Sequence, residues 1–170
     1  MSSKFMKLIV ITSFLVPVGV AAEGSGVQAA PNGLKLPEHY KDWPVISVSH
    51  RVDNHTLRAI VGNDIAIKAA RAGQTNPWPD GAVLGKLVWK EMAEEHWPTA
   101  IAPKSFVHAE FMFKDSKAYQ SNGTGWRWAR WVGMEQKPYG KDADFSKECI
   151  SCHTPVKSRD WVFTTPAVLP

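Results

Sequence analysis

The chain reads as a mainly β protein: one antiparallel sheet with a few short helices, an α+β single domain. Three observations predict this. Runs of β-branched and aromatic residues recur at Val45–Val52, Thr56–Val61, Ala82–Trp89, Ser105–Phe113 and Trp126–Val132. Turn-forming clusters separate those runs. Long stretches of 3.6-residue periodicity, which a helical bundle would need, are absent. At 170 residues the chain is one domain's worth of length.

The first residues form a separate object. Lys4 and Lys7 make a basic start, Leu8 to Val20 is an apolar run, and Val20-Ala21-Ala22 is a small-x-small cleavage site. The run of 13 residues is short of the ~20 that a transmembrane helix needs. Residues 1–22 therefore read as a secretory signal peptide. Export to the periplasm follows, with no stable membrane insertion after cleavage. Glu23 to Asn32 is small and polar, so residues 23–33 read as a flexible leader with order starting near Leu34. The folded domain spans residues 34–170.

The remaining elements follow in order. Leu36-Pro37-Glu38-His39-Tyr40-Lys41-Asp42-Trp43 reads as a short helical turn, with Pro at its start and Pro44 ending it. The strand from Val45 closes at the turn Asp53-Asn54-His55. Thr56 to Val61 forms the second strand. Asn63-Asp64 caps a helix over Ile65 to Arg71, and Gly73 fits its end. Gln74 to Gly81 (QTNPWPDG) is a loop. Ala82–Trp89 and Ser105–Phe113 are strands joined by a Pro-bearing connection. Gly123 to Gly125 is a turn. Trp126 to Val132 (WRWARWV) is a strand with Trp126 and Trp128 on one face and Trp131 on the other. Lys137 to Phe145 is a polar connection.

Composition narrows the function. The formal net charge of +4 falls to +2 once Lys4 and Lys7 are removed, and there is no basic block, so nucleic acid is not a partner. Two cysteines cannot staple a disulfide-rich scaffold. Both lie in Cys149-Ile150-Ser151-Cys152-His153. A Cys-x-x-Cys-His run is the attachment site of c-type haem. Each thiol can form a thioether with one haem vinyl group, and the next His supplies an axial imidazole. His153 is thus the expected iron ligand, and one haem c, covalently attached, the expected cofactor. The competing readings are a disulfide, half of a zinc site and a thioredoxin-type pair. Zinc lacks further cysteine ligands, and no βαβ pattern precedes the motif. Export agrees with haem, because bacterial haem attachment happens outside the cytoplasm. Eight tryptophans supply apolar surface to shield such a group.

The motif lies near the C-terminus of a strand-rich chain, whereas most small electron-transfer cytochromes are helical and carry it near the N-terminus. The sequence resembles the cytochrome P-460 family, whose fold is shared with the beta-type cytochromes c′. The resemblance runs from about Leu36 to the end. Its pieces are Leu36-Pro37 with Tyr40 and Trp43, Thr56-Leu57-Arg58, Pro79-Asp80-Gly81 followed by Lys86, Lys114-Asp115-Ser116-Lys117, the Trp126–Trp131 strand, Cys149–His153, and Asp160 to Thr164 (DWVFT).

The resemblance implies a homodimer with a five-coordinate haem that oxidises hydroxylamine to nitrous oxide, nitric oxide or nitrite. It implies an extra bond from haem to a lysine five residues after an Asp-Gly turn, a position that Lys86 fills. An amine must be neutral to attack, and at the ordinary lysine pKa only roughly 1 in 2,500 is neutral at pH 7. The apolar flanks Val83, Leu84, Leu87 and Val88 favour the buried setting that raises this fraction. Arg58 matches a distal-pocket arginine able to hydrogen-bond a nitrogen–oxygen ligand. A carboxylate just before the haem motif would take protons from substrate; Asp144 is the expected residue, with Asp142 close behind. Gly85, directly before Lys86, suggests a bulge that turns the lysine.

Three functions remain open. The chain is a hydroxylamine oxidoreductase passing electrons to a redox partner cytochrome. Alternatively it binds nitric oxide or carbon monoxide without turnover. Or it is a low-spin electron carrier whose sixth site is closed by one of His39, His50, His55, His96, His108, Met92, Met112 or Met134.

Overall fold

The computed structural model describes residues 26–170. The expected signal peptide and the first residues of the leader lie outside the described residues. Among the described residues, six strands form one open antiparallel sheet in the order β1 to β6. They are β1 (Val45–Arg51), β2 (Thr56–Gly62), β3 (Val83–Glu94), β4 (Trp97–Lys114), β5 (Trp126–Val132) and β6 (Lys137–Pro138). Two short helices accompany them, α1 (Asp64–Arg71) and α2 (Ser146–His153). The expected fold class stands: mainly antiparallel β, with minor helices. Among the described residues no helix is long and apolar enough to cross a membrane.

Side-chain alternation gives the sheet two working faces. One face carries Tyr40, Phe111 and Trp131, with Phe111 edge-on to both other rings at 5.3 and 5.9 Å. The other carries Ile60, Leu84, Met112, Trp126 and Trp128, covered by α1, α2 and the segment around Val162. Trp126 and Trp128 do share a face opposite Trp131, as the strand pattern requires. Helix α1 starts where the sequence places a cap: the Asn63 side chain accepts from the Ala66 N–H at 3.0 Å. It then buries Ala66, Ile67 and Ala69.

Four local expectations change. The leader is not free over its described part. Ala30 is 3% exposed, packed under Trp131 and Leu36. The Trp131 indole N–H donates to the Gln28 carbonyl at 3.0 Å, and the Asn32 amide donates to the Trp128 carbonyl at 2.9 Å. Backbone polar groups pin this stretch, so its polar composition concealed its order. Second, the connection between Trp89 and Ser105 is itself β structure. Strands β3 and β4 run on as a two-stranded ribbon, with Met92 opposite Ala102 and Ala93 opposite Ile101. Beyond Lys90 and His108 neither β2 nor β5 accompanies it. Prolines 98 and 103 are tolerated because the ribbon's outer edges are free.

Third, Gly85 makes no bulge. It stays in register between Val61 and Phe111. A Cβ there would lie 2.7 Å from the Phe111 ring and 3.0 Å from Val61, so the glycine exists to let that ring approach. Fourth, the polar Lys137 to Phe145 connection contains β6 and a 3₁₀ turn over Ala143–Phe145.

Candidate functional site

The antiparallel register lays residues of four strands side by side on the helix-covered face. Ile60 on β2 faces Lys86 on β3, Lys86 faces Glu110 on β4, and Glu110 faces Arg130 on β5. One row further along, Leu84, Met112 and Trp128 form an apolar line. Helix α2 lies across these rows and brings Cys149, Cys152 and His153 to the same place. Their spacing of three and four residues puts Cys149 near one helix face with both Cys152 and His153. Together they line a cleft that is open to solvent.

The polar row is an ion network. Lys86 pairs with one Glu110 oxygen, and Arg130 Nε donates to the other at 2.5 Å. Arg130 also reaches Glu148 at 3.5 Å and stacks over the Tyr139 ring at 4.3 Å. Burial alone would raise the Glu110 pKa; the charges of Lys86 and Arg130 outweigh it and hold the carboxyl at about 2. Burial also pushes neighbouring His108 down to about 4, so this imidazole is neutral at pH 7. On the helix, burial raises the Cys149 thiol to about 11, against the pull of Arg130. A thiol of that kind is a poor redox nucleophile, which speaks against a thioredoxin-type pair.

His153 is prepared as a ligand. Its Nδ1 lies 2.6 Å from the Trp161 carbonyl oxygen, which can only accept, so Nδ1 carries the hydrogen. The Nε2 lone pair is then left to bind a metal. Trp128 and Phe163 flank the ring at 5.8 and 5.2 Å between centroids. The buried Trp128 indole N–H has no protein partner, so the cleft wall offers a spare donor to whatever fills it. An imidazole with a fixed tautomer, two thiols on the same helix, an aromatic and apolar wall and an unused donor all fit a haem. The residues that would hold it are Cys149, Cys152 and His153, with Lys86 in the wall.

The structure brings Lys86, Cys149, Cys152 and His153 together as expected of one site. It separates two others. Arg58 sits one row away, opposite Val88, and half-buried beside a shallow groove with His50, Trp89 and Pro103. It is not in the cleft wall; burial lowers its pKa, and its buried Nε has no partner. Asp144 does not line the cleft. Its side chain is 73% exposed and paired with Lys147 at 2.7 Å, because the 3₁₀ turn before α2 points it to solvent. Asp142 is used up capping that turn, accepting from the Asp144 N–H. The carboxylates that do line the cleft are Glu110 and Glu148. Glu110 had a signal: a lone acid at an inward position of the apolar run Ser105–Phe113. Glu148 had one too, directly preceding Cys149.

The other expected sixth-site ligands sort by place. His50 and His55 both hold the Glu91 carboxylate, outside the cleft. Met92 and Met134 are exposed, whereas Met112 lies in the cleft wall.

No curated protein matches the chain. The profile of one family, described as Cytochrome P460, matches residues 37–164, which spans the sheet, the cleft and the Cys-x-x-Cys-His helix. On that match the chain belongs to the cytochrome P460 family, and is a haem-binding cytochrome of the c type.

Proposed function

We propose that the protein is an exported mono-haem cytochrome that oxidises hydroxylamine, with His153 as axial ligand, Cys149 and Cys152 as thioether anchors and Lys86 as the lysine linked to haem. The carrying observation is the meeting in one cleft of the Cys149–His153 helix with the Lys86–Glu110–Arg130 row. Haem held by Cys149, Cys152 and His153 would supply a redox-active iron for the oxidation.

The chain's own residues handle placement and protons. Oxidising two hydroxylamines to nitrous oxide and water releases four electrons and four protons, so the cleft needs an acceptor. Glu110 is a weak base, paired with the Arg130 cation at 2.5 Å. Glu148 is placed to take the protons. It lies at the open side, bonded to the Tyr139 hydroxyl at 2.9 Å, and 55% exposed, so a proton on its carboxylate reaches solvent directly. Arg130 positions Glu148 and presents a cation to the substrate oxygen. Leu84, Met112 and Trp128 exclude water from the inner end. The electrons leave to a redox partner cytochrome, and the active form is a homodimer in the periplasm.

The test is a peptide map of the purified holoprotein with a hydroxylamine assay. A haem-bearing peptide joining the Cys149–His153 segment to the Lys86 segment is expected, with hydroxylamine-dependent turnover. Glu148→Gln should cut that turnover by about 100-fold. Haem held by the cysteines alone, with no turnover, would overturn the reading. High-spin ligand binding would then favour a nitric oxide or carbon monoxide binder. A low-spin spectrum would favour an electron carrier, with Met112 as the residue placed to close the sixth site.

A further inference from the structure

A buried ion pair on the far side of the cleft has no part in the scheme above. Lys114, the last residue of β4, donates to Asp160 Oδ1 at 2.7 Å, and the two side chains are only 6% and 10% exposed. The second Asp160 oxygen accepts from the Trp78 N–H at 2.8 Å. The Asp160 carbonyl accepts from the Trp126 indole at 2.9 Å, while Lys114 Nζ lies 5.0 Å from that ring's centroid. Every polar group of Asp160 that can anchor it to the sheet is therefore in use.

The backbone explains why such anchoring is needed. Asp160 and Trp161 follow one another at φ of +51° and +65°. Two consecutive side-chain-bearing residues in the left-handed region are disfavoured and persist only where surrounding contacts over-determine them. Their effect is to swing the Trp161 carbonyl back onto His153 Nδ1. We infer that Lys114 and Asp160 are positioning residues for the axial histidine, clamping the left-handed turn whose carbonyl sets the orientation and basicity of His153. A firm hydrogen bond at Nδ1 makes an imidazole more anionic and a stronger donor to ferric iron. The inference deepens the function proposed above and rests on its assignment of His153 as the haem ligand.

The full-length holoprotein is compared with Asp160→Asn, Lys114→Met and Lys114→Arg. Resonance Raman of the ferrous form reads the iron–histidine stretch, and a potentiometric titration reads the midpoint potential. Circular dichroism checks folding. Asp160→Asn and Lys114→Met are expected to lower the stretching frequency and raise the potential, with Lys114→Arg returning both towards native values. A merely structural pair would cost thermal stability and leave both readouts in place; folded variants with a native stretch and potential overturn the inference. Should Lys114→Met fail to fold, Asp160→Asn decides, since it keeps the side-chain shape and an acceptor for Trp78. A native holoprotein without histidine-ligated haem overturns the underlying assignment, and is recognised before any variant is made.

Discussion

Glu110 concentrates the electrostatics of the cleft. Its carboxylate stands between Lys86 and Arg130 in a setting that would otherwise favour the neutral acid. Its pKa is depressed, from an ordinary ~4.3 in the unfolded chain to about 2 in the fold. A depressed carboxylate contributes stability that is fully present above the unfolded value and lost as pH falls through the folded one. The contribution is about 3 kcal/mol at neutral pH, draining away between about pH 5 and pH 2. In the haem-free chain, where Lys86 is a free amine, Glu110→Gln should therefore lower stability at pH 7 by about 3 kcal/mol, because two cations are left facing each other without a counter-charge. Urea melts of the haem-free variant and the haem-free native chain should converge as pH approaches 2. A difference that persists unchanged to pH 2 would show that the carboxylate's charge is not what matters.

At the scale of elements, the β3–β4 hairpin does two jobs. Its inner half carries Lys86 and Glu110, and its outer half is the ribbon. The inner half depends on Gly85. An added methyl group would meet the Phe111 ring and Val61, both fixed in packed strands. Gly85→Ala should destabilise by about 1–3 kcal/mol through overpacking, read as a lower Tm. The same variant should perturb the haem spectrum, because Lys86 is the adjacent residue. An unchanged Tm would mean that Phe111 can move. How much of these elements was legible follows from what each buries. Strand β2 and helix α1 bury apolar side chains against a core and β5 buries both of its faces, so their patterning was plain. The ribbon buries neither face, and its charges and prolines obey no alternation, so sequence pattern read it as a connection. The outward placement of Asp144 was hidden for a related reason: a carboxylate's direction at a 3₁₀ turn is set by the turn, which no periodicity encodes.

Across the whole molecule, short sequence pieces far apart in the chain prove to be one another's partners. Asp80, of Pro79-Asp80-Gly81, accepts from the Ser116 N–H and hydroxyl, both at 2.7 Å. Lys114, beside Ser116, holds Asp160, and Trp161 holds His153. Tyr40 and Trp43 pack on Phe111 behind the sheet. These pairings were unreadable singly, because each is a long-range contact between residues that are unremarkable in their own windows. The described part of the leader belongs to the same class. Residues 28–32 act through backbone carbonyls and one asparagine, so nothing in their hydrophobicity announced a role. Removing them tests that role directly. A chain beginning at Leu34 leaves the Trp131 indole N–H buried without its acceptor and strips the cover that Ala30 provides. An unsatisfied buried donor costs about 1–3 kcal/mol, and the lost alanine burial adds somewhat less than ~1 kcal/mol. The shortened holoprotein should therefore melt roughly 4–10 °C lower, as expected for about 2–3 kcal/mol in a domain of this size. Its haem spectrum should be retained, since the leader covers the face opposite the cleft. A shortened chain with native Tm would return these residues to the status of a loose leader. One that lost its haem would instead show that the two faces of the sheet are coupled through Phe111 and Trp131.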